Sequence, residues 1–198
     1  MHIDKNRTYE VNDYSFRNFI HLDNEQVKQV LEWRNNPQIR QYMYNKEEIP
    51  LEGHLTFVKG LVNRIDVAYW LVYRKNEPIG VVNLIDIDEE LERAELGYYM
   101  IPSRMSSGLG VEFVYHLLLF SFNEIHVKQL IGAIDTKNKN ALLVDEYMGF
   151  VLGETKSLSE ESDARYIEWT LEKDDFLKTA NGKNDIRNFV RFVRTHKV

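Results

Sequence analysis

The sequence predicts a mixed α/β (α+β) domain whose largely antiparallel central sheet is flanked by helices, with a helical extension at the C-terminus. Strand-like runs occur in pairs at 67–73 with 79–87 and at 149–153 with 165–171. The first pair is separated by a short turn and reads as a hairpin, and the second closes the sheet. Between the pairs, 95–101, 111–123, 129–134 and 138–148 read strand, helix, strand, helix. Further helical patterns are inserted after the first strand. One domain over 1–172 and an extension over 173–198 account for the 198 residues, enough to bury a sizeable core.

Residues 1–12 are polar and read as a loose lead-in. The run 14–21 has strand character. Asp23 followed by Gln26 marks a helix start, Val27, Val30 and Leu31 form its apolar face, and Asn35-Asn36-Pro37 ends it. A short helical piece is expected through Tyr42-Met43-Tyr44, and Pro50 opens another helix with Leu51, Leu55, Val58, Leu61 and Val62 on one side. The hairpin 67–87 turns at Arg74–Glu77. The acidic stretch Asp88–Glu92 reads as a solvated connector without metal-ligand spacing.

The run Glu95–Ile101 is rich in aromatic and apolar side chains, and Pro102 stops it. A small turn rich in hydroxyl residues and glycine, Ser103–Gly110, leads into the helical spacing of Val111–Asn123. Strand, glycine-bearing turn and helix start together direct bare backbone N–H groups at an anion. Gly108 and Gly110 lack the Cβ that would keep a pyrophosphate away. Such a turn also simply starts many helices. Residues 129–134 form a strand and 138–148 a helix, followed by the closing pair joined through Ser157–Asp163. Asn184–His196 is a basic amphipathic helix with Ile186, Phe189, Val190 and Val193 on one face. Packing on the domain, or on a second subunit of a homodimer, outweighs a membrane-surface role for so short a helix in an acidic chain.

Composition narrows the chemistry. Hydrophobic (43%) and charged (28%) fractions are those of a globular domain, and the net charge of −6 argues against a nucleic-acid partner. The chain has no cysteine, hence no disulfide framework, thiolate nucleophile or cysteine-ligated metal. No apolar run approaches the roughly 20 residues that span a bilayer, and no apolar leader opens the chain. The expected compartment is the cytoplasm.

The segment Asn138-Lys139-Asn140-Ala141-Leu142-Leu143-Val144-Asp145-Glu146-Tyr147-Met148-Gly149-Phe150 resembles the Asn-x-x-Ser/Ala-x-x-Leu-Tyr-x-x-x-Gly-Phe signature of the GNAT N-acetyltransferase superfamily. With the Gly108-Leu109-Gly110 turn upstream, the resemblance spans about residues 14–171. Three fragments, Trp33-Arg34-Asn35-Asn36-Pro37, Glu52-Gly53-His54-Leu55 and Glu77-Pro78-Ile79-Gly80, look like the PseH-type enzymes. Those acetylate the 4-amino group of a nucleotide-linked amino sugar in pseudaminic acid biosynthesis. The Trp-Arg-Asn fragment is also similar to the RimJ and RimL type, which acetylate protein N-termini.

The resemblance implies direct attack of a neutral amine on the thioester of acetyl-CoA, with no metal. It implies that the strand end Tyr98, Tyr99, Met100 and Ile101 offers backbone groups to the pantetheine arm, and that Arg104, Met105, Ser106, Ser107, Gly108, Leu109 and Gly110 receive the pyrophosphate. Met105 stands where the family has Arg or Gln. Asn138 bonds the coenzyme arm or caps its helix. Asp145 stands where the family has the tyrosine that protonates the departing thiolate; it can do so only if burial raises its pKa, and as an exposed residue it would leave that task to water. Tyr147 points the other way. His54 is the candidate base, its alternative being a surface histidine, while His21, His116 and His126 read as structural or exposed with nothing to pair with them. Trp33, Arg34 and Asn35 are candidates for the nucleotide diphosphate, with Trp33 as core the alternative. Two classes result: a nucleotide-amino-sugar acetyltransferase (with an N-terminal acetyltransferase as variant), and a coenzyme- or protein-binding module without catalysis.

Overall fold

The computed structural model describes residues 1–157 and 164–195. The segment joining the closing strands, and the end of the last helix at His196, lie outside the described residues. A single eight-stranded sheet runs through the chain: β1 (Tyr9–Val11), β2 (Tyr14–Asn18), β3 (Ala68–Arg74), β4 (Glu77–Asp88), β5 (Arg93–Met100), β6 (Gln129–Asp135), β7 (Val151–Ser157) and β8 (Arg165–Glu172). Its order is β1-β2-β3-β4-β5-β6-β8-β7. Every neighbouring pair is antiparallel except β5 with β6. The expected sheet is therefore present, and its one parallel junction lies where the glycine-bearing turn and its helix connect the two strands.

Seven α-helices accompany it among the described residues: α1 (Asn24–Asn35), α2 (Pro37–Arg40), α3 (Leu51–Gly60), α4 (Gly110–Leu119), α5 (Lys139–Met148), α6 (Lys173–Thr179) and α7 (Ile186–Thr195). Alternation along the strands divides the apolar side chains between two faces. Trp70, Val72, Val82, Leu84, Ala94 and Leu96 join Phe113, Leu117 and Phe120 in the larger core. Leu71 and Val81 join Val27, Val30, Val58 and Leu61 of the α1–α3 side in the smaller one. Each fully buried large side chain contributes about 1.5–3 kcal/mol.

Local chemistry explains most boundaries. Asp23 and Gln26 form the reciprocal capping box that starts α1. Lys75 and Asn76 both take positive φ (50° and 65°), the twist a two-residue hairpin turn requires. Gly149 ends α5 at φ 98°, and its N–H donates to the Asp145 and Glu146 carbonyls.

Four expectations are corrected. The lead-in is not loose: Tyr9 and Tyr14 are 1% exposed, and β1 turns into β2 through Asn12 at φ 54°. The short helix lies at Pro37–Arg40 rather than Tyr42–Tyr44, because Asn36 accepts from the Gln38 amide and Pro37 presets the first turn. His116 is not unpaired. Its Nδ1–H donates to the Glu112 carbonyl (2.7 Å), its Nε2 accepts from Asn12 (3.3 Å), and its ring stacks on Tyr14. Finally, α7 rests on Tyr147 through Phe189 and Phe192, while Ile186 and Val190 face solvent. Phe176 of α6 is fully buried in the larger core. No helix among the described residues is long and apolar enough to cross a membrane.

Candidate active site

The parallel junction makes the site. β5 and β6 pair only over Arg93–Glu95 against Gln129–Ile131. Beyond that point each strand keeps its antiparallel partner, β4 or β8, and the two diverge. The gap opens into a cleft of about 920 Å³. Its walls run from Met105, Ser106 and Gly110 past Tyr98, Tyr99 and Met100, and on to Arg34, His54 and the loop after α2.

At one end, α4 begins without a side-chain cap. The amides of its first turn are therefore unclaimed by the usual N-cap group. Gly108 sits at φ 77° in the turn, a conformation a side chain resists. A Cβ on Gly110 would meet nothing closer than Met100 Sδ at 3.7 Å. Within the turn, Ser107 Oγ donates to the Arg104 carbonyl (2.5 Å) and accepts from the Leu109 amide (3.3 Å). Arg104 pairs with Glu77 at 3.6 Å. Of the expected pyrophosphate residues, Met105, Ser106 and Gly110 line the cleft, while Arg104, Ser107, Gly108 and Leu109 shape the turn behind them. Tyr99 and Met100 line the cleft, whereas Ile101 is 3% exposed and its N–H donates to the Ile79 carbonyl.

On the α4–α5 side lies an acidic pair. Tyr98 Oη donates to Asp145 Oδ1 at 2.5 Å, and both residues line the cleft. Asp145 is 1% exposed, and burial raises its pKa to about 7 against the weaker opposing effect of the Tyr98 hydrogen bond. Burial, then the neighbouring carboxylate, holds the Tyr98 phenol well above its ordinary value. Asn138 also lines the cleft; its side chain accepts from the Ala141 amide (3.4 Å) and so caps α5. Tyr147 faces away, its hydroxyl 3.5 Å from the Gly182 carbonyl.

The α1–α3 side forms the other end. His54 is buried, and its Nε2–H donates to the Val27 carbonyl (3.1 Å), which leaves the lone pair on Nδ1. Burial depresses its pKa, partly offset by that bond. Arg34 lines the cleft; one Nη2–H donates to the Asn45 carbonyl (2.9 Å), while Nη1 is buried without a hydrogen-bond partner among the described residues. Trp33 packs on the smaller core, and Asn35 uses both ends of its amide on the Ile49 backbone, each at 2.9 Å. Arg34 alone of this trio faces the cavity.

The loop after α2 crosses the gap as a strap. Lys46 Nζ reaches Asp135 at 3.3 Å, and the Tyr44 ring lies 4.9 Å from that of Tyr166. Tyr166 is 3% exposed, and its hydroxyl has no partner among the described residues.

The sequence assigned no side-chain role to Glu95 or Tyr98. Glu95 lines the cleft, makes no ion pair among the described residues, and its pKa is raised by burial and then by Asp86. Strand alternation was the available signal: Glu95, Gly97 and Tyr99 share one face, Tyr98 the other. Among the described residues no group of three or more His, Asp or Glu is placed to hold a metal ion.

A family model described as acetyltransferase (GNAT) domain matches residues 17–151. The acetyltransferase PseH of Campylobacter jejuni serotype O:2 is 28% identical over 151 residues, 76% of this chain and 90% of that protein. Its serotype O:23/36 counterpart is 28% identical over 136 residues, 69% and 83% of the two chains. Among solved structures, Vibrio cholerae spermidine N-acetyltransferase with CoA and spermine superposes at TM-score 0.74 with 16% identity, covering 84% of this chain and 99% of that one. Campylobacter jejuni PseH with acetyl coenzyme A does so at 0.61 with 21% identity, covering 81% and 99%. These last two establish a shared fold. An uncapped helix start beside a glycine turn suits a coenzyme diphosphate, and diverging strand edges suit its extended arm. The chain belongs to the acetyltransferase (GNAT) domain family and is an acetyl-CoA-dependent N-acetyltransferase.

Proposed function

We propose that this enzyme acetylates the amino group of a nucleotide-linked amino sugar, a UDP-4-amino sugar of the kind PseH-type enzymes use. One observation carries the reading: the acceptor end of the cleft holds a guanidinium N–H, Arg34 Nη1, and a carboxyl group, Glu95, that have no hydrogen-bond partner and no ion pair, respectively, among the described residues. An acceptor that joins an amine to an anionic group answers both; a polyamine offers nothing to Arg34. The 28% identity to PseH-named proteins supports the same reading.

Acetyl-CoA, when bound, supplies an acetyl thioester. The first-turn amides of α4 grip the diphosphate, and Met105 offers only its backbone and thioether where the family has Arg or Gln. The edge at Tyr99 and Met100 orients the arm. Arg34 holds the acceptor's phosphate, with Asn35 pinning the strap through Ile49 and Trp33 bracing α1 behind it. Glu95 takes the proton from the attacking amine. Burial favours its protonated form, whereas burial opposes protonation of His54, the second base within the cleft. Asp145 is the source of the proton that leaves with the sulfur.

The test measures CoA thiol release with a UDP-4-amino sugar, spermidine and a peptide with a free N-terminus as acceptors. The expected result is turnover with the nucleotide sugar, a KM raised about tenfold or more by Arg34→Met, and a larger loss of kcat for Glu95→Gln than for His54→Ala. Preference for the peptide would overturn the reading in favour of N-terminal acetylation, and coenzyme binding without release on any amine in favour of a non-catalytic module.

A further inference from the structure

We propose that Tyr98 delivers the proton to the departing sulfur and that Asp145 recharges it from behind, the two acting as a relay across the gap between β5 and α5. The proposal rests on the transferase reading and deepens it. Tyr98 is the more accessible member: it is half-buried and borders the cleft, while Asp145 is 1% exposed behind it. Their oxygens are 2.5 Å apart, so a proton passes between them without rearrangement. A buried carboxylate this close to a sulfur that is gaining negative charge would repel it, and a tyrosine between them separates the two charges.

The acceptor nitrogen forms a bond to the acetyl carbon, and the carbon–sulfur bond breaks with its electron pair going to sulfur. The Tyr98 hydroxyl gives its proton to that sulfur and receives one from the Asp145 carboxyl. The amine's proton goes to Glu95 and on to solvent, and Asp145 is reprotonated between turnovers. An ionised Asp145 accepting from the Tyr98 hydroxyl is the discharged state of this 2.5 Å pair. While Asp145 is ionised it accepts the phenol's hydrogen bond, has no proton to return, and the relay is silent. Among the described residues, Tyr98 is the titratable group acting on Asp145. The Tyr98 ring lies 6.2 Å from that of Phe113, and Val114, Ala133 and Ile134 are further apolar residues that line the cleft.

The test compares the full chain with Tyr98→Phe and Asp145→Asn, both close in volume to the native side chain. Calorimetric binding of CoA and of desulfo-CoA at pH 6 and pH 8 reads the relay without turnover. The charged relay should favour the sulfur-bearing ligand at least threefold at pH 6, with the preference shrinking at pH 8 and vanishing in Tyr98→Phe. In acetyl transfer to the UDP-4-amino sugar, wild-type kcat should fall above about pH 7. Asp145→Asn should lose that limb and drop kcat about 10- to 100-fold. A Tyr98→Phe variant that keeps both kcat and the preference for CoA overturns the proposal. Should no amine be acetylated, the transferase reading fails, while the CoA against desulfo-CoA comparison still decides the role of Tyr98. Should Tyr98→Phe not fold, the pH 6 to pH 8 change in wild type and its absence in Asp145→Asn decide it instead.

Discussion

Lys46 lies 3.3 Å from Asp135, and the two belong to opposite sides of the cleft: the lysine to the strap after α2, the aspartate to the end of β6. Asp135 is 2% exposed and also accepts from the Lys137 amide at 2.8 Å, so it stays partly satisfied without the lysine. The side chain of Lys46 is 43% exposed, which keeps the pair's contribution near 1 kcal/mol. Lys46→Met should therefore leave the fold and acetyl-CoA binding intact. It should raise the acceptor KM several-fold by loosening the strap, as initial-rate kinetics with each substrate varied would show.

Asp145 makes stability depend on pH in an unusual direction. Its folded pKa of about 7 lies above the unfolded value, so between those values the folded chain binds the extra proton. Its contribution is full below the unfolded pKa and is lost as pH rises through about 7. Asp145→Asn removes the buried charge and should gain on the order of 2–4 kcal/mol relative to wild type at pH 8, with the gain shrinking toward pH 5. Denaturant melts at the two pH values check this.

His116 has the opposite sign. Both ring nitrogens are engaged in the neutral form, and burial lowers its pKa. The stability it confers is present above the unfolded value of about 6.5 and is lost as pH falls through the lower folded value. His116→Gln should flatten the thermal-stability profile between pH 7 and pH 5.

Gly80 is required by space rather than by backbone conformation. A Cβ there would lie 2.5 Å from both the Tyr99 carbonyl oxygen and the Phe113 ring. Gly80→Ala should push β5 away from β4, cost about 2–4 kcal/mol and weaken acetyl-CoA binding. Unfolding and calorimetry on the same sample would measure both.

Much of this was legible in sequence because local chemistry dictates it. The hairpin at Lys75-Asn76, the capping box at Asp23 and Gln26, and the glycine stop at Gly149 are each decided by a few adjacent residues. The strap was misread because Tyr42–Asn45 owes its path to Lys46, Tyr166 and Arg34, all distant partners. The meeting of Tyr98 with Asp145, separated by 47 positions, depends on how α5 settles against the sheet. No periodicity reports that. Asp145 itself was visible as a departure from the family signature; its partner was not.

The three-rung parallel junction has a mechanical consequence. Each half of the sheet is stitched firmly to its own neighbours, yet the halves share a spine only three residues tall, like a book bound along a fraction of its height. Whatever fills the opening therefore works as a clasp, and the protein becomes most cohesive when it is occupied.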